Sequence, residues 1–288
     1  MRLTARSIVV EVLSVASTGY MPALRVGLII ESCALFGFTS NTVRVALAKM
    51  RAEGMVVSTQ RGLYALGPAA HPVNDQVLGW REAGRKTIAW DLSWVAANTG
   101  HMPRSDRPEY RRRVRALKFL GFRELAQGLH LRPNNLEAGV VGVRQKLARL
   151  GLEDAIVTRL DELSAQDDER ARNLWDTDAI VAQCHAWVGK LSASRAKWQD
   201  QPLTTTTREA YLLGREVIRA IVLDPLLPEP LVASESREKL IEAMSTYSNE
   251  GLTLWRRYLG VDSNHEPREL GTQHDGTRRK PEQSVLVR

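Results

Sequence analysis

The sequence predicts an α+β protein, and three observations predict it. Apolar residues recur at helical spacing near both ends of the chain, whereas its middle contains short alternating segments that are typical of strands. These segments follow one another as three helices and a hairpin, then in the order β-α-β-β-α-β, and then as helices. With 43% hydrophobic residues, the 288-residue chain can form more than one core. We divide it into residues 1–70, 71–86, 87–165, 166–261 and 262–288.

Residues 1–70 have the pattern of a winged helix-turn-helix. Thr4 can cap a first amphipathic helix, and a second helix ends at Gly37. The stretch TSNTVRVALAKMRAEG predicts a third helix, capped by Thr39 or Ser40 and stopped by Gly54. Two short strands, MVVST and LYALG, flank the turn QRG and predict a hairpin. Three helices followed by such a hairpin are the layout of this DNA-binding fold.

The outward side of the third helix is the predicted DNA-binding surface. Val43, Leu47 and Met50 share one side of it and should face the core. The other side carries small and polar groups near the helix N-terminus and cations further along, a composition that suits the major groove. The alternative is an ordinary solvated helix face. The predicted DNA-binding residues are Thr39, Ser40, Asn41, Thr42, Arg44, Val45, Lys49 and Arg51 on the helix, with Arg61 at the hairpin tip to meet phosphate.

Residues 71–86, which open with the polar, proline-containing HPVNDQ, are predicted as a linker. Residues 87–165 then predict a ferredoxin-like β-α-β-β-α-β unit. Its strands are expected in TIAWDLSWVA, FRELA, LHLRP and DAIVTRLDEL, and its helices in RPEYRRRVRALKFLG and in residues 136–150. FRELA and LHLRP are joined by Gln127-Gly128, a hairpin signal.

Residues 166–261 are predicted to be all-helical. DPLLPEPL, residues 224–231, interrupts the helices because proline cannot continue one, and it should form a structured turn. Within TTTT, residues 204–207, we expect Thr207 to cap the following helix. Residues 262–288 are polar and poor in apolar side chains, and we expect them to be disordered.

Composition excludes several function classes. The formal net charge of +7 permits a polyanionic partner. Cys33 and Cys184 form no CxxC motif, which favours a reducing compartment over a disulfide scaffold. The histidines lack metal-ligand spacing, and no phosphate-binding, dinucleotide-binding or serine-hydrolase motif occurs. We therefore expect no catalytic residues, metal or cofactor. Glu11 interrupts the first apolar segment, so we expect a soluble, cytoplasmic protein that has no membrane partner.

Several quoted stretches together resemble the PaaX-type transcriptional repressors, regulators of phenylacetate catabolism. They are NTVRVALAKMRAEG, GLYALG, WDLSWV, LKFLGFRELAQGLHLRPNNL and VLDPLLPEPL, and they span roughly residues 1–260. The resemblance implies a winged helix, a ferredoxin-like domain and a helical domain in this order. It also implies a homodimeric repressor that binds a double-stranded operator and is released by an acyl-CoA thioester.

For the effector, the sequence offers two groups of residues, each with an ordinary alternative. Trp90 and Trp94 lie four residues apart in a predicted strand, so they should share a face that lines an aromatic pocket or simply packs in the core. Arg111, Arg112 and Arg115 belong to a basic helix that binds a phosphate-rich ligand, makes a secondary DNA contact or is simply solvated.

Two other functions compete with an effector-released repressor. The central domain is also similar to the small CRISPR-associated ferredoxin-like endonucleases, and Asp91 lies roughly where they carry a metal-binding aspartate. This resemblance implies a metal-dependent nuclease that uses both subunits of a dimer. The alternative for Asp91 is a hydrogen-bonded strand residue. An architectural DNA binder without an effector would show no preference for an operator.

Overall fold

The structure, a computed structural model, describes residues 3–17, 23–71, 74 and 79–260, and this part is an α+β protein as predicted. The predicted tail, residues 262–288, lies outside the described residues. The α-helices are α1 Ala5–Ser17, α2 Val26–Ala34, α3 Ser40–Ala52, α4 Arg107–Phe119, α5 Gly139–Arg149, α6 Ala165–Arg172, α7 Thr177–Ala196, α8 Leu203–Val222 and α9 Glu235–Tyr258. The strands are β1 Leu24–Arg25, β2 Val56–Gln60, β3 Leu63–Leu66, β4 Trp94–Asn98, β5 Arg123–Ala126, β6 Leu129–Pro133 and β7 Ile156–Leu160. Within the described residues, no helix combines the length and the apolar character that a bilayer crossing requires.

Helices α1 to α3 pack on a small antiparallel sheet of order β1-β3-β2. Their core contains Ile8, Ile29 and Leu47, each at most 2% exposed. The sequence did not predict β1, because its apolar pattern placed Leu24 and Arg25 at the beginning of the predicted second helix. In the structure these two residues pair with Tyr64 and Leu63 of β3, so α2 begins only at Val26.

The middle of the chain follows the order β4-α4-β5-β6-α5-β7. The four strands form one sheet of order β5-β6-β4-β7, in which every neighbouring pair is antiparallel. Val95 and Ala97 of β4 face α4 and α5, whose Leu117 and Leu147 complete this core. Because side chains alternate along a strand, Trp94 and Ala96 face the opposite side of the sheet.

The first strand of this sheet is shorter than TIAWDLSWVA predicted. Leu92 has a φ of 67°, a left-handed conformation that a strand cannot contain. Asp91 Oδ1 accepts hydrogen bonds from Ser93 N at 3.1 Å and Ser93 Oγ at 2.6 Å. This aspartate-centred turn takes the place of backbone hydrogen bonds between strands, and regular strand pairing begins only at Trp94.

The proline-containing segment 224–231 is the structured turn that was predicted, and it packs on the face of the sheet that carries Trp94. Arg132 in β6 is 2% exposed, and burial lowers the pKa of its guanidinium to about 10. Carbonyl oxygens of Leu120, Pro133 and Pro225 accept its hydrogen bonds, as does Asn135 Oδ1. Asn135 in turn donates to the carbonyl of Leu226 at 2.7 Å, so two neighbouring side chains hold this turn.

Helices α7, α8 and α9 form the helical core, which includes Val217, Met244 and Tyr247. A 3₁₀ helix, Gly79–Lys86, occupies part of the predicted linker, and its Trp80 is buried in this core at 3% exposure. Residues 72, 73 and 75–78 of the predicted linker lie outside the described residues.

Helix α8 also begins earlier than predicted. It starts at Leu203 after Pro202, so Thr207 is inside the helix and donates its hydroxyl to the carbonyl of Leu203 at 2.7 Å. The expectation that Thr207 caps the helix was therefore wrong, because Pro202 is already the N-cap and its carbonyl accepts the hydrogen bond of Thr206 N at 3.0 Å.

A polar and aromatic seam joins the helical core to the N-terminal helices. Glu11 of α1 accepts hydrogen bonds from the hydroxyl of Tyr211 and, at 2.8 Å, from Arg215 Nε, both on α8. Phe36, which follows α2, lies with its ring centroid 4.7 Å from that of Tyr211 and 6.4 Å from that of Trp255 on α9. We call these five residues the seam.

Candidate nucleic-acid interface

Both ends of α3 are fixed by local sequence. Thr39 is the N-cap, and its hydroxyl accepts a hydrogen bond from Thr42 N at 3.3 Å. At the other end Gly54 has a φ of 69°, Gly54 N donates to the carbonyl of Arg51, and Met55 N donates to that of Met50. This pair of bonds is the glycine-based stop that the sequence predicted.

The prediction of which side of α3 is buried is confirmed. Val43, Leu47 and Met50 are the buried residues of the helix. The predicted DNA-binding residues are exposed, namely Thr39, Ser40, Asn41, Thr42, Arg44, Val45, Lys49 and Arg51. Val45 is 48% exposed, an apolar side chain left in water among polar groups. One continuous surface therefore carries all eight predicted side chains.

The N-terminal end of α3 can accept an anion. Its first turn contains no acidic residue, whereas Lys49 and Arg51 lie in its last turn. The free N–H groups and the helix dipole place partial positive charge at that first turn. Arg44 Nε lies 3.4 Å from Ser40 Oγ, which holds the guanidinium beside the exposed start of the helix.

The hairpin carries Arg61 at its exposed tip, as predicted. Gly62 follows with a φ of 78°, and its carbonyl accepts a hydrogen bond from Val26 N at 2.8 Å. This bond brings exposed Arg25, at the end of β1, next to the tip. Sequence reasoning missed Arg25, because the strand that positions it exists only through pairing with β3.

Cationic charge on this surface is not neutralised by protein carboxylates. Within the described residues, no salt bridge involves any of the five exposed cations Arg25, Arg44, Lys49, Arg51 and Arg61. Two nearby carboxylates are engaged elsewhere: Glu53 pairs with Arg6, and Glu11 pairs with Arg215. The positive charge is thus available to a polyanion.

The structure does not bring the predicted effector residues together. Trp90 and Trp94 contact each other with ring centroids 5.0 Å apart, but Trp94 is 1% exposed and stacks on Trp175 at 6.2 Å. Protein side chains fill the space around it. Arg111, Arg112 and Arg115 are exposed on α4, which covers the opposite face of the sheet. Arg112 is also paired with Glu109 at 2.8 Å.

Asp91 is half-exposed, and both of its carboxylate oxygens accept hydrogen bonds from protein groups. Oδ1 is engaged by Ser93, and Oδ2 accepts from Arg159 Nη2 at 3.1 Å. The Ser93 hydrogen bonds hold the pKa of the Asp91 carboxyl below its ordinary value, and Arg159 lowers it further. Across the part of the chain that the structure describes, no three histidine, cysteine or acidic residues cluster as metal ligands would. No geometric observation therefore favours the nuclease.

Comparisons with known proteins give a family match for the N-terminal segment and a solved structure of similar fold. Residues 4–70 match the model of a family described as PaaX-like protein, which confirms the predicted resemblance over this segment. No curated protein matches the chain. Among solved structures, the chain is similar to the uncharacterized protein Rv0674 from Mycobacterium tuberculosis, with a TM-score of 0.61 and 22% identity over 89% of this chain and 99% of that one. At this identity, the likeness concerns the fold alone.

Proposed function

Because the chain matches the PaaX-like family over residues 4–70, we propose that it is a transcription regulator that binds double-stranded DNA through α3 and the β2-β3 hairpin. One observation carries the proposal. A helix capped at both ends presents eight exposed polar, small or cationic side chains, and no carboxylate pairs with its cations in the described structure. The proposal contains no catalytic step.

The roles follow from position along α3. Asn41, Thr42, Arg44 and Val45 lie near the N-terminus, the part of a recognition helix that meets base edges. Arg44 can bind guanine O6 and N7 in a bidentate way, and Val45 can contact a thymine methyl group. Lys49, Arg51, Arg61 and Arg25 are placed for backbone phosphates, which orient the protein and carry no sequence information. The order α1-β1-α2-α3-β2-β3 is that of a winged helix, which supports this docking.

The proposal extends to a homodimer on an inverted repeat. Two copies related by a twofold axis would read half-sites about one helical turn, or a multiple of it, apart. Repression, with release by an acyl-CoA thioester, rests on the resemblance to PaaX-type regulators. Such a ligand releases DNA only if it binds one arrangement of the dimer better than the other.

The test is fluorescence anisotropy with DNA from upstream of the protein's own gene, beside a scrambled duplex, at near-physiological salt. Arg44→Ala should weaken binding to the upstream DNA by about ten- to a hundredfold, the value of one bidentate base contact, and should affect scrambled DNA much less. Arg85→Ala, which removes a cation whose side chain is 82% exposed outside this surface, is the control.

Two outcomes would contradict the proposal at different levels. An equal loss on both duplexes would remove the base-reading role of Arg44. The absence of any preference between the duplexes, in the unmodified protein and at every salt concentration, would reject operator binding and favour the architectural alternative. Cleavage of DNA with magnesium or manganese that disappears in Asp91→Asn would instead establish the nuclease.

A further inference from the structure

A cavity of about 840 Å³, a groove that is open to solvent, lies at one end of the helical core. It is formed where the C-terminal end of α7, the N-terminal end of α8 and the C-terminal half of α9 meet. Its walls include Trp198, Leu203, Leu254, Arg195, Glu250 and Arg257. None of these residues belongs to the DNA-binding surface or to the effector residues that the sequence suggested.

One wall of the cavity is apolar and held in place. Trp198 packs on Tyr247 with ring centroids 4.9 Å apart, and its indole N–H donates to Ser194 Oγ at 3.3 Å. Leu254 is 8% exposed and belongs to the helical core. An indole ring fixed beside leucine side chains provides a preformed surface for an aromatic or aliphatic group.

The charged wall contains Arg195, Glu250 and Arg257. Arg195 donates to both carboxylate oxygens of Glu250, with Nε at 2.8 Å from Oε2, so this pair is neutral as a unit. Within the described residues, Arg257 takes part in no salt bridge. The beginning of α8 also faces this space, and it has neither a side-chain cap nor an acidic residue in its first turn. A guanidinium and an uncapped helix end both favour an anion.

The cavity and the seam are built on the same two helices. On α9, Leu254 and Arg257 line the cavity, whereas neighbouring Trp255 contacts Phe36 after α2. On α8, Leu203 lines the cavity, and Tyr211 two turns later contacts Glu11 of α1. A ligand that spreads or rotates the ends of α8 and α9 would thus shift the residues that hold α1 and α2.

We propose that this cavity binds a small organic anion with an aromatic or aliphatic body, and that its occupation alters DNA binding through the seam. Arg257 receives the anionic group, and Trp198 and the leucines receive the apolar body. The regulatory half of this proposal rests on the proposed DNA-binding function, whereas the binding half does not. A free carboxylate and the phosphates of a CoA thioester both satisfy the charge requirement.

The binding half is tested with the full chain and a fluorescent aromatic sulfonate, anilinonaphthalene sulfonate. We expect saturable binding that Arg257→Ala weakens about tenfold, the effect of one charge-assisted contact. The matched control is Arg256→Ala, the adjacent exposed arginine of α9, which does not line the cavity and should leave binding unchanged. Circular dichroism of both variants verifies that they are folded.

Competition distinguishes the two sources of the anion. Displacement of the probe by phenylacetate supports a free carboxylate, and displacement only by phenylacetyl-CoA supports a phosphate-bearing thioester. Equal binding by the two variants or the absence of saturable binding would overturn the cavity as the site. Displacement by neither competitor would reject both phenylacetate and its CoA thioester as ligands of the cavity.

The regulatory half is tested by adding the effective competitor to the protein–DNA complex. The ligand should lower the affinity for upstream DNA in the unmodified protein and in Arg256→Ala, and about tenfold more ligand should be needed in Arg257→Ala. If the ligand fills the cavity and DNA affinity stays constant, coupling through the seam is rejected while DNA binding stands. If the protein shows no preference between upstream and scrambled DNA, the proposed function fails. The binding half is then decided by the fluorescence titration with the aromatic sulfonate alone.

Discussion

Replacing Asp224 by alanine would leave a buried guanidinium without its counter-charge. Asp224 follows α8, and its Oδ1 accepts hydrogen bonds from Arg237 Nε at 3.1 Å and from Leu226 N at 2.7 Å. The side chains of Arg237 and Asp224 are only 7% and 9% exposed. In Asp224→Ala, Arg237 would keep only its bond to the carbonyl of Leu227 at 3.2 Å.

The size of the effect follows from this burial. Removing one partner of a buried ion pair typically costs about 3–5 kcal/mol, because the other charge stays in a low-dielectric environment. We therefore expect Asp224→Ala to lower the free energy of unfolding by about 3–5 kcal/mol. Asp224→Asn keeps an acceptor for Leu226 N and should lose less. Combining Asp224→Ala with Arg237→Met should recover part of the loss, since apolar replacement of both partners is often neutral.

Urea denaturation followed by circular dichroism measures these differences. The control is Asp154→Ala, which removes an exposed aspartate and should change the free energy of unfolding by less than about 0.5 kcal/mol. An Asp224→Ala protein as stable as this control would refute the reasoning, because Arg237 would then have no need of a counter-charge. A double variant that is less stable than Asp224→Ala would refute the idea that the unpaired charge is the cause.

Three further predictions concern single side chains elsewhere in the protein. Arg61→Ala should weaken binding to upstream and scrambled DNA alike, and it should reduce the slope of log affinity against log salt by about 0.9 for each phosphate that Arg61 neutralises. Arg85→Ala should leave both the affinity and the slope unchanged, and an unchanged slope in Arg61→Ala would remove Arg61 from the interface. Gly54→Ala should lower the free energy of unfolding by about 1 kcal/mol through the left-handed φ alone, since the nearest atom to an added Cβ is 3.7 Å away. Gly27→Ala in α2, the control, should not lower it. Urea denaturation that finds the two variants equally stable would contradict this prediction. Burial lowers the pKa of His130 below its ordinary 6.5, so His130 takes up a proton in the unfolded chain at a higher pH than in the folded protein, and the melting temperature should fall as the pH decreases below about 6.5. His130→Gln should make this fall less steep. An equal change of melting temperature with pH in both proteins would contradict the prediction.

The parts of the molecule that local patterns determine could be predicted from the sequence. The buried side of α3 followed from Val43, Leu47 and Met50, because helical spacing alone decides which side chains share a face. The stop at Gly54 followed from the conformational freedom of glycine. The turn at residues 224–231 followed from the geometry of proline.

Features that depend on distant pairing could not be predicted. A strand of two residues has no periodicity, so β1 and the position of Arg25 depend on β3, almost forty residues later. Trp90 and Trp94 contact each other, but Trp175 stacks on Trp94 and occupies the place of the predicted pocket. This contact depends on tertiary packing and has no local pattern in the sequence. The cavity beside Arg257 is formed by the ends of three helices, and no local pattern marks such a space.

The buried guanidinium of Arg132 limits how this protein can be divided. Its acceptors come from β6 and the residues just after it, from the end of α4, and from the turn at residues 224–231 beyond the predicted boundary at residue 165. A fragment that ends at residue 165 would uncover Arg132 and lose the carbonyl of Pro225. The sheet and the helices that follow it are therefore expected to unfold together as one cooperative unit rather than as two separable domains.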